Sequence, residues 1–346
     1  MKILLGLSGG VDSTYAALKL KAEGHNVEAA VLVMHEHTEV FAAEESARAL
    51  DIPLHVIDCR AKFDELVKKD FAEQYLGGRT PNPCIVCNSE IKFIYLLEYA
   101  ENNGFDAIAT GHYASVVRLS DEKGEYFAVK RGKDMKKDQT YMLWRLPQRV
   151  LSRLVMPLSD MTKAEIRESS KESGLCAADR PDSQEICFLP NGGYAEFIEE
   201  NYAKSPKGNF IDKNGNVLGR HNGIIRYTVG QRKGLGISLG TRAFVTAIDP
   251  IANTVTLSAE DAYFTHTYIS GVVYSGMREP AAGEERRLSV KLRYSAPSVM
   301  ATVRFFSDRA EIITDAPVRA VTPGQSAVLY DGDLLVAGGF IDSSLQ

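Results

Sequence analysis

SGGVDS, from Ser8 to Ser13, lies between an apolar run, Lys2 to Leu7, and a segment with helical periodicity, Ser13 to Glu23. An apolar run of this length is typical of a buried parallel strand, and Gly24 is a suitable C-terminal cap for the helix. Glycines between a strand and a helix N-terminus allow backbone N–H groups and the positive end of the helix dipole to bind an anion. The beginning of the sequence therefore predicts a strand, a phosphate-binding loop and a helix.

Strands and helices continue to alternate beyond this unit. The apolar pattern predicts strands at Val27 to Val33, Leu54 to Ile57 and Ala107 to Thr110. It predicts helices after Thr38, a candidate N-cap, and over Ile91 to Glu101. This alternation is typical of an α/β fold in which helices cover a mostly parallel sheet.

Three further segments complete the predicted first domain. From Tyr113 to Val129 the hydrophobic period changes towards two, which predicts a hairpin. Thr162 and Glu165 form a capping-box signature, so a helix is expected from there to about Gly174. A last helix is predicted over Tyr194 to Tyr202.

The sequence changes character after Pro206, where helical periodicity disappears. Short β-rich runs follow, separated by turn-forming residues: Ala243 to Ile248, Thr254 to Leu257 and Lys291 to Tyr294. We therefore expect an α/β domain with a parallel sheet, a small β-rich central domain and a C-terminal β-barrel domain. Their predicted bounds are residues 1–205, 206–268 and 269–346.

Composition and charge exclude several classes of protein. The 346 residues are 45% hydrophobic and 25% charged, as in ordinary globular proteins. No run approaches the roughly 20 apolar residues of a membrane helix, and no export signal is recognisable, so a cytoplasmic protein is expected. Five cysteines in such a chain favour catalysis, redox chemistry or metal binding over a disulfide framework. The net charge of −5 does not favour nucleic-acid binding, but a local basic run can supply it: Arg131, Lys133, Lys136 and Lys137.

The glycine-rich loop also indicates a class of reaction. The sequence contains no G-x-x-x-x-G-K-[S/T], so this is not the nucleotide loop of kinases and GTPases. It is similar to the SGG-x-DS loop (PP-loop) of ATP pyrophosphatases, which bind the pyrophosphate end of ATP and leave AMP on an oxygen of their substrate. The alternative is a structural turn in which Asp12 is only a favourable acid at a helix N-terminus. The loop alone does not distinguish small-molecule synthetases from tRNA-modifying enzymes.

A Cys-x-x-Cys pair, Cys84 and Cys87, follows Pro81 and Pro83. The prolines predict a rigid loop just before a helix, and a thiol near a helix N-terminus has a lowered pKa. Half of a zinc site is the alternative, but no second metal-binding pair completes four ligands. Another cysteine, Cys187, lies much later in the segment DSQEICF.

Six motifs occur in order along almost the whole chain: SGGVDS, GRTPNPC-x-x-CN-x-x-IKF, ATGHYA, KDQTYML, DSQ-x-ICF and YTVGQRKGLG. They closely resemble the bacterial and organellar tRNA-specific 2-thiouridylases. The resemblance implies an N-terminal domain like that of the adenine-nucleotide α-hydrolases, ATP with Mg²⁺, and a tRNA uridine that accepts sulfur. In that family the cysteine matching Cys87 is the nucleophile and the one matching Cys187 carries a persulfide. Cys59 and Cys176 match no catalytic position, and such free cysteines are commonly buried.

The same resemblance implies which residues bind the substrates. The ATP site would be lined by Gly6, Leu7, Ser8, Gly9, Gly10, Val11, Asp12, Ser13, Met34 and Gly111. The target base would be contacted by Asn82, Pro83 and Cys84. The rest of the tRNA would be contacted by His112, Lys137, Asp138, Gln139, Arg293, Tyr294 and Gln325. Without the family, His112 is equally well explained as a structural histidine.

Cys84 departs from the family pattern, because many members have an aspartate there that is the proposed general acid or base. A thiol can also move protons, but it is a soft metal ligand as well. Cys84, Cys87 and Cys187 together could hold a [4Fe–4S] cluster with one open iron. The alternative, which we favour, is sulfur transfer through a persulfide on Cys187.

The reaction implied by the resemblance is adenylation of O2 of the wobble uridine, followed by replacement of this oxygen by sulfur. AMP and pyrophosphate would be released. A donor protein would supply the persulfide on Cys187, and a reductant would open the resulting Cys87–Cys187 disulfide. Three other functions are compatible with the sequence: adenylation of a small metabolite, thiolation of another RNA, and RNA binding without catalysis.

Overall fold

The computed structural model describes residues 1–175, 177, 178, 180, 186–189, 193–237, 240 and 242–345. The helices are α1 (Val11–Ala22), α2 (Val40–Ala49), α3 (Arg60–Phe63), α4 (Lys69–Leu76), α5 (Pro83–Val86), α6 (Phe93–Asn102), α7 (Gln148–Leu151), α8 (Lys163–Glu172) and α9 (Tyr194–Asn201). Two π-helical turns, Asp64–Lys68 and Cys87–Lys92, join α3 to α4 and α5 to α6, and 3₁₀ turns occupy Thr140–Met142 and Ile224–Arg226. The strands are β1 (Lys2–Gly6), β2 (Asn26–Val33), β3 (Leu54–Asp58), β4 (Ala107–Thr110), β5 (Ser115–Asp121), β6 (Gly124–Lys130), β7 (Leu154–Val155), β8 (Gly208–Ile211), β9 (Val217–His221), β10 (Phe244–Asp249), β11 (Thr254–Ser258), β12 (Tyr263–Val273), β13 (Glu285–Lys291), β14 (Val299–Phe306), β15 (Arg309–Arg319), β16 (Ser326–Asp331) and β17 (Leu334–Leu345).

Strand β1 lies at the centre of a parallel sheet with the order β3-β2-β1-β4-β7. Its side chains alternate between two apolar cores: Leu4 packs in one, and Ile3 and Leu5 pack in the other. Because helices cover both faces, the middle of β1 is apolar without interruption, as is usual in parallel sheets. The predicted α/β architecture with a mostly parallel sheet is therefore confirmed.

Side-chain hydrogen bonds explain where two elements begin. Thr162 Oγ1 accepts from the N–H of Glu165, whose carboxylate accepts from Thr162 N–H at 2.7 Å, so the predicted capping box starts α8. Thr38 is not the predicted N-cap of α2. Its hydroxyl instead accepts from the N–H groups of Met34 and His35, both at 3.2 Å, and so stabilises the turn after β2.

The cysteine loop opens a helical segment that is longer than its apolar pattern predicts. Asn82 Oδ1 accepts from Cys84 N–H at 3.2 Å, and Pro83 occupies the first helical position, where a missing N–H is tolerated. The chain stays helical through the π-helical turn into α6. The helix predicted to begin at Ile91 therefore begins at Pro83. The apolar pattern does not predict α3 or α4.

The C-terminal half contains two sheets. The smaller has the order β10-β11-β8-β9. In the larger, β12-β15-β14-β13-β16-β17 closes into a barrel because β12 also pairs with β17. The predicted small β-rich domain and C-terminal barrel are therefore confirmed.

Strand β12 favours an earlier boundary between these two domains than the predicted one. It runs through residue 268, so we propose that the barrel domain begins near Tyr263. Because β13 ends at Lys291, the strand predicted over Lys291 to Tyr294 is wrong beyond its first residue.

The predicted hairpin is formed by β5 and β6 and joins the first domain to the barrel. Its inner strand pairs with β17 through Lys130 and Leu334. The α/β domain and the barrel are thus in direct contact on this side. Among the helices of the described residues, none has the length and apolar character needed to cross a membrane.

Candidate functional site

The SGGVDS loop connects β1 to α1 through a left-handed residue, Gly9, with a φ of +77°. A Cβ atom at Gly9 would lie 2.4 Å from the carbonyl carbon of Ala42, so only glycine fits between the loop and α2. Ser13 Oγ holds the loop from inside, since it accepts from Ser8 N–H and donates to Gly10 O, both at 3.2 Å. The loop leads directly into the N-terminus of α1, an arrangement that favours anion binding.

Two residues contact this loop from outside. Gly111 follows β4, and a Cβ atom there would lie 2.9 Å from the backbone nitrogen of Ser13. Arg180 donates to the carbonyl of Gly9 and forms an ion pair with Glu45 of α2. The backbone of the loop is therefore fixed before any ligand binds.

Asp12, the acid of the loop, belongs to a network that its motif does not reveal. Lys163 Nζ lies 2.7 and 2.8 Å from the two carboxylate oxygens of Asp12, and Tyr113 OH donates to one of them at 2.5 Å. Gln139 Oε1 in turn accepts from Tyr113 N–H at 2.9 Å. Lys163 is the first residue of α8, directly after the N-cap Thr162. The sequence predicts the N-cap at Thr162, but it does not indicate that Lys163 pairs with Asp12 of α1.

A cavity of about 810 Å³ extends from the loop across the ends of β2 and β4. All of the predicted ATP-site residues line it except Gly9, which faces Ala42 of α2. Its wall also includes Cys187 and Lys92, a residue of the IKF motif to which sequence reasoning assigned no role. The predicted nucleotide site and a cysteine thiol therefore face one chamber.

Cys87 is buried at the start of the π-helical turn, and its thiol donates to Met34 Sδ at 3.6 Å. Burial raises the pKa of this thiol to about 12, and the charge of Lys92 acts in the opposite direction. The predicted lowering of its pKa is therefore wrong. Cys87 lies a turn inside the helical segment, where the loss of hydration outweighs the effect of the helix N-terminus.

Cys84 lies one turn earlier, near the N-terminus of α5, and is exposed at the surface. The protein around its thiol nevertheless raises its pKa by desolvation, so Cys84 is protonated at neutral pH and can supply a proton. Asn82 Nδ2 donates to Met142 Sδ at 3.3 Å, which fixes the side chain that caps the helix. The contact of Asn82, Pro83 and Cys84 with a target base stays a prediction.

Cys187 is exposed and lines the cavity. Its neighbour Phe188 is buried against Phe63 and Phe71, with ring centroids 5.6 and 5.4 Å apart, and so anchors the segment. Burial raises the pKa of the Cys187 thiol, and the negative charge of Cys84, when ionised, raises it further. The preceding residues of this motif, 182–185, lie outside the described residues.

The three cysteines do not form a metal-binding group. In the described part of the chain, no three side chains of His, Cys, Asp or Glu are arranged to hold a metal ion. Cys87 is buried against Met34, whereas Cys84 and Cys187 are exposed. The alternative of a [4Fe–4S] cluster on these thiols does not fit this arrangement.

The remaining cysteines were expected to be buried small side chains. Cys59 is buried in the core beside Phe63, and burial raises its pKa to about 12, so that prediction is confirmed for Cys59. Cys176 lies outside the described residues.

His112 lines the cavity as a neutral imidazole. Its Nδ1 is hydrogen-bonded to Thr110 Oγ1 at 2.9 Å, and its ring lies 5.4 Å from that of Phe93. Burial lowers the pKa of His112 to about 3, with a smaller contribution from the charge of Lys92. At neutral pH His112 can therefore donate or accept a hydrogen bond but carries no charge.

The residues predicted to contact tRNA fall into two groups. His112, Lys137 and Tyr294 line the cavity wall, as does Gln139, whose side-chain oxygen already accepts from Tyr113 N–H. The side chain of Tyr294 is exposed, and Lys291 Nζ lies 5.3 Å from the centre of its ring. Contact of these residues with tRNA stays a prediction.

The second group is engaged within the protein: Asp138, Gln139, Arg293 and Gln325. Asp138 is buried and accepts from Thr140 N–H at 3.0 Å. Arg293 Nη2 donates to Val229 O at 2.8 Å, and Gln325 Nε2 donates to Thr80 O at 2.7 Å. Their existing bonds show that they hold the protein together, and direct RNA contact by them stays a prediction.

Family models match three successive segments of the chain. Residues 1–191 match the tRNA methyl transferase HUP domain and residues 195–259 match the tRNA methyl transferase PRC-barrel domain. Residues 265–341 match the aminomethyltransferase beta-barrel domain. The three segments correspond to the α/β domain, the small β domain and the barrel, in that order.

Curated relatives match over nearly their full length under the name tRNA-specific 2-thiouridylase MnmA. The relative from Lachnoclostridium phytofermentans is 42% identical, over 98% of this chain and 99% of its own. The relative from Acetivibrio thermocellus is 41% identical over 98% of this chain and 99% of its own. The relative from Clostridioides difficile is 40% identical over 99% of each chain.

Proposed function

Because this chain belongs to the family of tRNA-specific 2-thiouridylases, we propose that it uses ATP to convert a uridine of tRNA to 2-thiouridine. The observation that carries the proposal is the shared cavity, which is lined both by the SGGVDS loop and by Cys187. A nucleotide bound at the loop and a sulfur atom on Cys187 would face the same space. Neither an ATP site nor a reactive thiol alone would perform this reaction.

ATP would bind with its triphosphate at the N-terminus of α1, where backbone N–H groups and the helix dipole favour negative charge. Lys163 balances the charge of Asp12, so this carboxylate does not repel the triphosphate. Mg²⁺ would arrive with the phosphates, since this ion is usually held by substrate oxygens and one or two carboxylates, here Asp12. The uracil O2 would attack the α-phosphorus, pyrophosphate would leave, and AMP would remain on O2.

Adenylation is needed because O2 of uracil is a poor leaving group. Cys87, as the thiolate, would attack the inner sulfur of a Cys187 persulfide, forming a Cys87–Cys187 disulfide and releasing hydrosulfide. Hydrosulfide would then attack C2, and the C2–O bond would break with AMP as the leaving group. The two cysteine sulfurs give up the two electrons that the persulfide sulfur gains, so a reductant must return two electrons and reopen the disulfide before another turnover.

Cys84 would serve as the proton donor or acceptor beside the base. Its thiol is protonated at neutral pH, because desolvation raises its pKa. It lies at the N-terminus of α5, one turn before Cys87. A protonated group at this place could protonate the departing oxygen or the hydrosulfide.

The tRNA would reach the cavity with its target base turned out of the stack, which an anticodon loop permits more readily than a duplex. His112, Lys137 and Tyr294 would meet it at the wall of the cavity. Phosphate contacts from Lys137 and other basic residues would make the affinity fall with salt. A tRNA substrate, a persulfide donor protein and a thiol reductant together imply a cytoplasmic protein.

The test is formation of 2-thiouridine in unmodified tRNA, with ATP and a persulfide donor, followed by nucleoside mass spectrometry. Wild type is expected to form 2-thiouridine only with ATP, and Cys187→Ser is expected to form none. Cys59→Ala is the matched control, because Cys59 is buried in the core and does not line the cavity. Methylation of the tRNA in place of thiolation, the activity named in two of the matching family descriptions, would overturn the proposal, as would thiolation by Cys187→Ser at the wild-type rate.

A further inference from the structure

Thr80 lies just before the cysteine loop, and each of its polar groups is hydrogen-bonded to another domain. Its N–H donates to Pro323 O at 2.8 Å, and its carbonyl accepts from Gln325 Nε2 at 2.7 Å. Its hydroxyl donates to that of Thr228 at 3.2 Å. Pro323 and Gln325 belong to the barrel domain and Thr228 to the small β domain. All three domains therefore meet at one residue.

The residues on either side of Thr80 pack closely against the two β domains. Gly78 has a φ of +71°, and a Cβ atom there would lie 3.1 Å from Ile248 of the small β domain. Arg79 Nη2 donates to Ile341 O of the barrel at 3.0 Å. From the opposite side, a Cβ atom on Gly324 would lie 2.9 Å from the backbone nitrogen of Thr80. The segment Gly78 to Thr80, which we call the junction, is thus clamped between the two β domains.

The two β domains are also joined to each other beside the junction. Arg293 of the barrel donates to Val229 O of the small β domain at 2.8 Å. A Cβ atom on Gly230 would lie 2.3 Å from that of Ala320 in the barrel, so the two backbones touch. A displacement of either domain would therefore be transmitted to the junction.

The junction leads to the cysteines through a stiff connection. Pro81 and Pro83 fix the backbone φ on both sides of Asn82, which caps α5 through Cys84 N–H. Only Pro81 and Asn82 separate Thr80 from the helical segment that carries Cys87, and neither is a glycine. The position of Cys87 therefore depends on where the β domains hold Thr80.

We propose that Thr80 and Gln325 are positioning residues for sulfur transfer, through which the β domains hold the cysteine loop in its reactive place. The inference deepens the proposed function and rests on it. It also gives Gln325 a role other than the predicted direct contact with tRNA. ATP binding uses the SGGVDS loop, which this bond does not touch, so ATP binding should not depend on the bond.

Gln325→Met tests the proposal, because it keeps the length of the side chain and removes the donor to Thr80 O. Gln148→Met is the matched control: Gln148 Nε2 also crosses between domains, donating to Phe127 O at 2.7 Å and Ser275 O at 3.0 Å, but it does not touch the junction. Three quantities are measured: hydrogen exchange of residues 78–87 in the free protein, tRNA affinity, and single-turnover thiolation at saturating tRNA.

The proposal predicts faster exchange at residues 78–87 in Gln325→Met, with unchanged exchange at residues 2–13. Thiolation at saturating tRNA should fall at least about tenfold, since loss of this partly buried hydrogen bond misplaces the nucleophile. Tight tRNA binding should be retained, and Gln148→Met should resemble wild type in all three measurements.

Weaker tRNA binding with an unchanged saturated rate would overturn the proposal and make Gln325 an RNA contact. Equal effects in both variants, or unchanged exchange at the junction, would also overturn it. If wild type itself forms no thiouridine, the proposed function fails, and the exchange comparison alone then decides whether Gln325 positions the cysteine loop.

Discussion

Lys163 Nζ bridges the two carboxylate oxygens of Asp12, at 2.7 and 2.8 Å, in the wall of the cavity. Lys163 is buried and is the first residue of α8. The capping box at Thr162 fixes the start of this helix and therefore the position of Lys163. The pair gives the SGGVDS loop a neutralised acid, so the loop can receive a triphosphate without repulsion.

Replacing Lys163 by methionine is expected to lower kcat/KM for ATP about 100-fold, because Asp12 becomes an uncompensated charge beside the phosphates. The measurement is the dependence of thiolation on ATP concentration. Lys69→Met is the control, since Lys69 pairs with Glu73 at the surface, where an ion pair contributes little. Equal losses in the two variants would show that the Asp12 pair has no special role.

A comparison of Gly9→Ala with Gly24→Ala separates backbone strain from steric clash. Both glycines have positive φ, +77° and +83°, but a Cβ atom at Gly24 meets nothing within 4 Å. Gly24→Ala should destabilise the fold by about 1 kcal/mol, the cost of a left-handed alanine, and keep ATP use. Gly9→Ala should lose ATP binding, because its Cβ would lie 2.4 Å from Ala42 and displace the loop. Calorimetric ATP titration and chemical denaturation check both, and retained ATP binding in Gly9→Ala would contradict the loop assignment.

The Cys87 thiol should become reactive only as pH rises. Its pKa is raised to about 12 by burial, so the thiolate fraction, and with it the alkylation rate, should rise about tenfold per pH unit near neutrality. Lys92→Met should slow alkylation further, because the charge of Lys92 favours the thiolate. Residue-resolved mass spectrometry follows Cys87 alone, with Lys62→Met, a surface lysine paired with Glu65, as the control. A rate that levels off below about pH 8 would refute the raised pKa.

His112 should make the fold sensitive to acid. Its pKa in the folded protein is lowered to about 3, below its ordinary value of 6.5, so folding favours the neutral imidazole. That contribution is fully present above pH 6.5 and is lost as pH falls towards 3. Denaturation curves across this window should show a smaller acid loss for His112→Gln than for wild type. The exposed His37→Gln serves as the control, and identical acid profiles for wild type and His112→Gln would contradict the expectation.

Local signals in the sequence predicted much of the first domain. The run before Ser8 and the glycines after it are enough to indicate a strand, a loop and a helix. Thr162 and Glu165 predict the start of α8 because both partners of the capping box lie within one turn. Each of these features depends on residues close together in the chain.

Features that depend on distant residues were missed or wrong. Lys163 gives no sign that its partner is Asp12, because the contact exists only after α8 packs near α1. The pKa of Cys87 was predicted in the wrong direction, since burial by other segments cannot be read from a Cys-x-x-Cys pair. The bond from Gln325 to Thr80 likewise arises from the arrangement of domains.

The proposed function requires adenylation by ATP and sulfur transfer from Cys187 to take place in one cavity. The most direct test is a single turnover with protein loaded with a labelled persulfide on Cys187, unmodified tRNA and ATP, without free sulfide. We expect labelled 2-thiouridine, AMP and pyrophosphate in equal amounts, together with a Cys87–Cys187 disulfide. AMP formation without label in the tRNA, or labelled tRNA without AMP, would contradict it.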